Sequence, residues 1–102
     1  MLKLRLNLGK SIECCGEWQL AMTGIFRKAA LVRSEGRGFQ HVQHHRLPRR
    51  TMARQVGPTE EVAVNEGDVL AFGNAAVLIT RVTPAGADLT FLASPDVRFL
   101  RQ

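Results

Sequence analysis

The chain contains 102 residues, of which 45% are hydrophobic and 23% charged, and its formal net charge is +5. This length suits one compact domain, or two very small units that share one core, because a unit of about 50 residues buries too little surface by itself. No stretch approaches the roughly 18 consecutive apolar residues of a membrane span, and the alternating N-terminus lacks the apolar core of a signal peptide. The two cysteines, Cys14 and Cys15, are neighbours and cannot join distant segments, which favours a reducing, cytoplasmic compartment.

Charge is distributed unevenly along the chain. Residues 1–56 contain 11 lysines and arginines against 3 acidic residues, whereas residues 57–102 contain 3 against 6. The formal excess of +8 in the first part favours a polyanionic partner, either nucleic acid or an acidic protein surface. The alternative is that the excess positive charge only keeps the protein soluble.

Alternation of apolar and polar residues predicts β-strands along most of the chain. In the first half, the predicted strands are 2–8, 11–14, 17–26, 29–34 and 39–46. Residues 47–60 interrupt the alternation, and the segment RRTMARQV between Pro48 and Pro58 predicts a linker or one short helix of about two turns. In the second half, the predicted strands are 61–65, 69–72, 75–83, 87–93 and 96–101. The chain is thus predicted to contain a first unit, 1–46, and a second unit, 61–102, which together form one compact domain.

The two units repeat one another. LRLNLGKSIECCG near the start matches VAVNEGDVLAFG in the second half, so that Asn7 corresponds to Asn65 and Gly9 to Gly67. Near the unit ends, Val42 is matched with Val97 and Arg46 with Arg101. A repeated five-stranded unit of about 45 residues predicts duplication and fusion, with the two copies packed as a dimer packs.

At these residues the chain resembles the carbon storage regulator (CsrA/RsmA) family of bacterial RNA-binding translational regulators. The resemblance covers nearly the whole chain outside the linker. It implies an all-β fold in which two CsrA-like five-stranded units form an intertwined single-chain pseudo-dimer, with the first strand of each unit paired to the last strand of the other. It also implies binding to GGA-containing hairpin loops in messenger-RNA leaders or small RNAs, through first-strand residues of one unit beside a last-strand arginine of the other.

Carried over position by position, the resemblance predicts two composite RNA sites. One combines Lys3, Leu4, Arg5 and Asn7 with Arg98 and Arg101. The other combines Val62, Val64 and Asn65 with His44 and Arg46, near Arg49 and Arg50 of the linker. The family's pair of first-strand arginines is replaced by Leu6 and Asn7 in the first unit, and by Val64 and Asn65 in the second. Since the first site keeps a basic character, Arg101 is expected to contribute more to RNA binding than Arg46.

Two function classes remain open. The first is a divergent post-transcriptional regulator that binds RNA; the second is a CsrA-like protein-binding module that has lost RNA recognition and acts through protein partners. For Lys3 and Arg5, the alternative to RNA contact is an ordinary solvated strand face. The patterns predict no enzyme, no cofactor and no metal site, since the spacing of the cysteines and histidines does not match that of zinc ligands. The chain is expected to be a monomer, with no membrane partner.

Overall fold

The computed structural model of the protein describes residues 2–14, 18–46, 49–73, 75–92 and 99–101. Side chains at residues 14, 44–46 and 99–101 lie outside the description. Within these ranges the fold is all-β, as predicted, and no helix is present that is long and apolar enough to cross a membrane.

Eleven strands are present in the described ranges. They are β1 Leu2–Asn7, β2 Ser11–Cys14, β3 Trp18–Phe26, β4 Ala29–Ser34, β5 Phe39–Arg46, β6 Arg49–Val56, β7 Glu61–Val64, β8 Val69–Phe72, β9 Ala75–Thr83, β10 Gly86–Leu92 and β11 Phe99–Arg101. Ten of them coincide with predicted strands to within a few residues.

The strands form two antiparallel sheets. The first sheet has the order β1-β10-β9-β8-β5-β6. The second sheet consists of β2-β3-β4-β7, with the three-residue β11 paired to β2 at its other edge. Each sheet thus takes three consecutive strands from one half of the chain and two from the other half, and the first sheet also contains β6 from the segment between the halves.

The exchanged strands differ in one respect from the prediction. The first strand of each half pairs with the fourth strand of the other half, β1 with β10 and β7 with β4. The fifth strand pairs with the second, β5 with β8 and β11 with β2. The predicted pairing of first strands with last strands is therefore wrong, although it is the first and last strands that are exchanged.

The repeated Asn-x-Gly motif is explained by two equivalent turns. In the first, the Lys10 N–H donates to the Asn7 carbonyl at 3.0 Å, and Gly9 adopts a φ of +82°. The second turn has the corresponding bond from Asp68 to Asn65, at 3.1 Å, with Gly67 at a φ of +91°. Since a positive φ is tolerated best by glycine, the motif records a backbone requirement.

A second equivalence lies in the long hairpins. The register slips by one residue between Met22 and Gly24, and again between Asp88 and Leu89. The extra residue is a threonine in both hairpins, and its hydroxyl donates across the hairpin to a carbonyl: Thr23 to Leu31 at 3.2 Å, and Thr80 to Asp88 at 2.8 Å. The two halves therefore share a β-bulge that the sequence patterns do not reveal.

The core lies between the two sheets and draws on both halves. Its fully buried side chains include Leu6, Met22, Val32, Phe39, Val56, Val64, Leu70, Val77, Ile79 and Leu89. The Trp18 ring meets Phe72 edge to face at 6.1 Å and donates its indole N–H to the Gly38 carbonyl at 3.0 Å. Buried side chains of both halves thus belong to one hydrophobic cluster.

The predicted linker helix is wrong. Residues 49–56 form β6, which pairs with β5 along its whole length, from Phe39 opposite Val56 to Arg46 opposite Arg49. Side chains 49–55 are all exposed, so β6 lacks the alternation that identifies the other strands. Its backbone hydrogen bonds are supplied by β5, a tertiary interaction that outweighs the weak helical preference of the segment.

The register of the last strands also corrects the repeat alignment. Ile12 lies opposite Arg101, and its counterpart Leu70 lies opposite His41. By register, the equivalent of Arg101 is therefore His41 and not Arg46, which lies five residues further along β5. The two terminal arginines do not occupy equivalent positions.

Candidate nucleic-acid interface

The first-strand candidates lie together on β1, an edge strand of the first sheet. Leu4 and Leu6 face the core, and Leu6 is 1% exposed. Because side chains alternate along a strand, Lys3, Arg5 and Asn7 lie on the opposite, outer face. Lys3 and Asn7 are exposed, and Arg5 is half-buried.

Arg5 is held by β10 rather than projecting freely. It lies opposite Asp88, and its Nη1 donates to Asp88 Oδ1 at 2.9 Å. Its Nη2 also donates to the Thr83 hydroxyl. The Asp88 carboxylate offsets much of the positive charge of β1. Arg5 must therefore break this ion pair before its guanidinium binds a phosphate.

Beside β1 lies an open depression of about 420 Å³. Its lining residues are Lys3, Leu4, Thr80, Asp88, Leu89 and Thr90. One cation and one carboxylate share its wall with threonine hydroxyls and leucine side chains. This mixed lining can offer hydrogen bonds to a polar group, but its charge does not favour an anion.

The last-strand partner of this first site lies in the other sheet. Arg101 is in β11, opposite Ile12 of β2, and β2 follows β1 after the turn at Gly9. β1 and β11 are thus edge strands of different sheets. The turn at Gly9 connects β1 to β2, and β2 pairs with β11. Arg98 lies outside the described residues, and the Arg101 side chain is likewise not described.

The first-strand residues of the second predicted site are engaged in the core and in the turn that follows β7. Val64 is fully buried, and Val62 packs against the core. The Asn65 N–H donates to Asp68 Oδ2 at 2.9 Å, while Glu66 Oε1 accepts a hydrogen bond from the Val82 N–H. The residues of β7 therefore serve the fold, and the acidic Glu66 remains exposed at the site.

The other candidates come together on the β5–β6 hairpin. His44 lies opposite Thr51, and Arg46 lies opposite Arg49. The Arg49 and Arg50 side chains are exposed. Arg54, the third arginine of the predicted linker, lies further along the same strand and pairs with Glu60. The absence of any acidic residue from 36 to 59 is the sequence signal for this basic hairpin.

A buried hydrogen bond between His41 and Asp68 is a further feature that the patterns did not predict. His41 Nε2 lies 2.8 Å from Asp68 Oδ2, and their side chains are 4% and 8% exposed. The same carboxylate oxygen accepts the Asn65 N–H. Asp68 thus ties β5 to the turn before β8 from inside the sandwich, and this buried position gives the pair a structural role.

Comparisons with protein-family models, with curated proteins and with solved structures found no match to this chain. The candidate interface therefore has to be interpreted from its own residues and from the topology that positions them.

Proposed function

We propose that this protein is a divergent CsrA-like post-transcriptional regulator that binds GGA-type sites in messenger-RNA leaders or small RNAs. In this proposal, two five-stranded units are fused as an intertwined pseudo-dimer within one chain. The observation that supports it best is the exchange of first and last strands between the halves. An intertwined dimer of five-stranded units is what the family resemblance implies.

The equivalent turns and bulges support the duplication on which the proposal depends. Gly9 donates to the Met22 carbonyl at 3.0 Å, and Gly67 donates to the Ile79 carbonyl at 2.7 Å. Leu6 lies opposite Ala87 in one sheet, just as Val64 lies opposite Ala30 in the other. Chance similarity among unrelated strands does not account for the same hydrogen bonds at matched positions.

The distribution of charge favours RNA over an uncharged partner. The first 56 residues carry a formal excess of +8, and the basic residues of β1 and of the β5–β6 hairpin belong to this part. Phosphate contacts by arginine and lysine supply most of the sequence-independent affinity of nucleic-acid-binding proteins. Base recognition must then come from groups other than the missing pair of first-strand arginines.

The proposal is tested with an RNA hairpin that carries GGA in its loop and with a control hairpin in which GGA is scrambled. The wild-type protein should bind the GGA hairpin more tightly in an electrophoretic shift assay. Arg101→Ala should weaken this binding by about 1–3 kcal/mol, and Arg46→Ala should have a smaller effect. Equal affinity for the two hairpins, or negligible effects of both substitutions, contradicts the proposal.

A second candidate function is a protein-binding module that has lost RNA recognition. It is favoured by a row of apolar side chains on the outer face of the first sheet, where Val42, Val69 and Leu78 lie opposite one another on β5, β8 and β9. All three are half-buried although they face away from the core. Binding that persists without RNA and weakens little as salt rises distinguishes this function, since phosphate contacts give a steep salt dependence.

A further inference from the structure

The β5–β6 hairpin extends beyond the sheet to which it belongs. β5 pairs with β8 only at residues 40–42, whereas its pairing with β6 continues to Arg46. In the described strand pairings, the backbones of residues 43–46 and 49–52 are thus ladder partners of each other and of no third strand, and we call this part the ribbon. Four residues per strand correspond to a length of about 13 Å.

The β6 strand of the ribbon is not held by burial. Every β6 side chain from residue 49 to residue 55 is exposed, and Val56 at the base is the first one in the core. A two-stranded hairpin in water is marginally stable at best, and the exposed side chains of β6 bury no apolar face to compensate. Packing within the described chain therefore gives no reason for this extension.

Charge makes the ribbon less stable in isolation. The register sets Arg46 opposite Arg49, and like charges directly opposite one another in a sheet repel. The exposed Arg49 and Arg50 side chains form no ion pair with any described residue. By contrast, Arg54 at the base is paired with Glu60. A bound anion that lies along the ribbon removes this repulsion.

The shape of the ribbon indicates the kind of anion. The ribbon has two strands about 4.8 Å apart, and each strand carries an arginine. Such a ribbon suits a ligand that has a row of phosphates on either side of a groove. A double helix has this arrangement, and its major groove in the B form admits a two-stranded ribbon. A single strand is bound mainly by stacking on aromatic rings, and the ribbon contains no Phe, Tyr or Trp.

We propose that the ribbon is a second nucleic-acid contact, which binds the phosphates of a double-helical segment independently of base sequence. Arg49 and Arg50 supply the charge-assisted hydrogen bonds, and the exposed edge of β6 leaves them accessible. This proposal does not rest on recognition of GGA. It assigns to the segment between the two units a function of its own.

The test uses fluorescence anisotropy with blunt duplexes of about 20 base pairs, one of DNA and one of RNA, both without GGA, and with the matching single strands. The double variant Arg49→Gln/Arg50→Gln is compared with Arg27→Gln/Lys28→Gln. The control removes the same charge from two exposed neighbours in the β3–β4 turn.

The ribbon variant should bind at least one duplex about 10-fold to 100-fold more weakly than wild type, with a logarithmic salt slope that is shallower by about 2. Its melting temperature should be unchanged or higher, because repulsion within the ribbon is reduced. The affinity of the control variant should stay within about 3-fold of wild type. Salt screens the attraction between the duplex and the two charges removed, because these charges lie away from the ribbon. Whether DNA or RNA shows the larger loss identifies the helix that is bound.

Equal duplex affinities of the ribbon variant and the control variant overturn the proposal. So does a loss that is as large for the single strands as for the duplexes. The GGA hairpin serves as a separate arm: if it fails to discriminate GGA while duplex binding still depends on Arg49 and Arg50, the proposed regulator function falls and the ribbon proposal stands.

Discussion

Thr59 adopts a backbone conformation that disfavours its side chain. It is the third residue of the turn Gly57–Glu60, where the Glu60 N–H donates to the Gly57 carbonyl at 3.3 Å, and its φ is +65°. A β-branched residue is strained at positive φ, whereas asparagine is tolerated there. Thr59→Asn should therefore raise the free energy of unfolding by about 1 kcal/mol, measured by urea denaturation. A fall in stability contradicts this interpretation of the turn.

Asp68 is the common acceptor of two hydrogen bonds, so its substitution should lower the free energy of unfolding. Asp68→Ala leaves the buried His41 ring nitrogen and the Asn65 N–H without their common acceptor. We expect the free energy of unfolding to fall by about 2–4 kcal/mol, because a buried donor without a partner retains its desolvation cost.

A matched control for this prediction is Asp88→Asn. Asp88 also pairs with a basic residue, Arg5, but the two side chains are 40% and 38% exposed. An exposed ion pair contributes about 0–1 kcal/mol, so the control should change stability little. Equal losses for Asp68→Ala and Asp88→Asn in thermal or urea unfolding would show that burial of the His41 pair is unimportant.

The residue scale also shows which positions a sequence can reveal. Gly9 and Gly67 stand out because a turn constrains the residue type directly. Asp68 does not, because its acceptor role depends on His41, which is 27 residues away in the chain. Arg5 is an intermediate case: alternation correctly predicts that it lies on the face opposite Leu4, but its ion pair depends on β10.

At the scale of elements, close packing between strands limits what β10 tolerates at its start. Gly86 lies opposite Asn7, and a Cβ atom added there would lie 2.4 Å from the Leu6 carbonyl oxygen. Gly86→Ala should therefore displace the end of β1 and lower the free energy of unfolding by about 1–3 kcal/mol.

Gly57→Ala, in the turn after β6, is the matched control for Gly86→Ala. A Cβ atom at Gly57 would have Glu60 Oε1 as its nearest neighbour, at 3.9 Å, so the added methyl group meets no obstruction. This substitution should be neutral or stabilising by up to about 1 kcal/mol, because it restricts the unfolded chain. If both alanine variants unfold at the same denaturant concentration, the β1–β10 contact is not the constraint described here.

Most strands were predictable because each buries one face. β4 and β8 match the predicted ranges residue for residue, since their alternation is strict. β6 was not predictable, because an exposed ribbon strand has no apolar period and its only cue is a partner strand. The strand exchange was foreseen through the family resemblance, but the choice of neighbours within each sheet was not, since similar strands compete for the same edge.

At the scale of the whole molecule, the exchange of strands removes the reason to dimerise. In each sheet, the first and last strands of one half pair with the middle strands of the other half of the same chain. The exposed arginines of β6 also disfavour edge-to-edge pairing with another copy. We therefore expect a monomer of 11.3 kDa in sedimentation equilibrium at micromolar concentration. A mass of twice this value contradicts the expectation.

The pairing of β1 with β10 also determines when the protein can fold during its synthesis. β1 is translated well before its hydrogen-bond partner β10, which spans residues 86–92. The first half likewise lacks a neighbour for β4 until β7 has been made. Until residues 86–92 have been made, the core-facing leucines of β1 therefore have no neighbouring strand in their sheet, which delays cooperative folding of this domain and leaves the nascent chain open to aggregation.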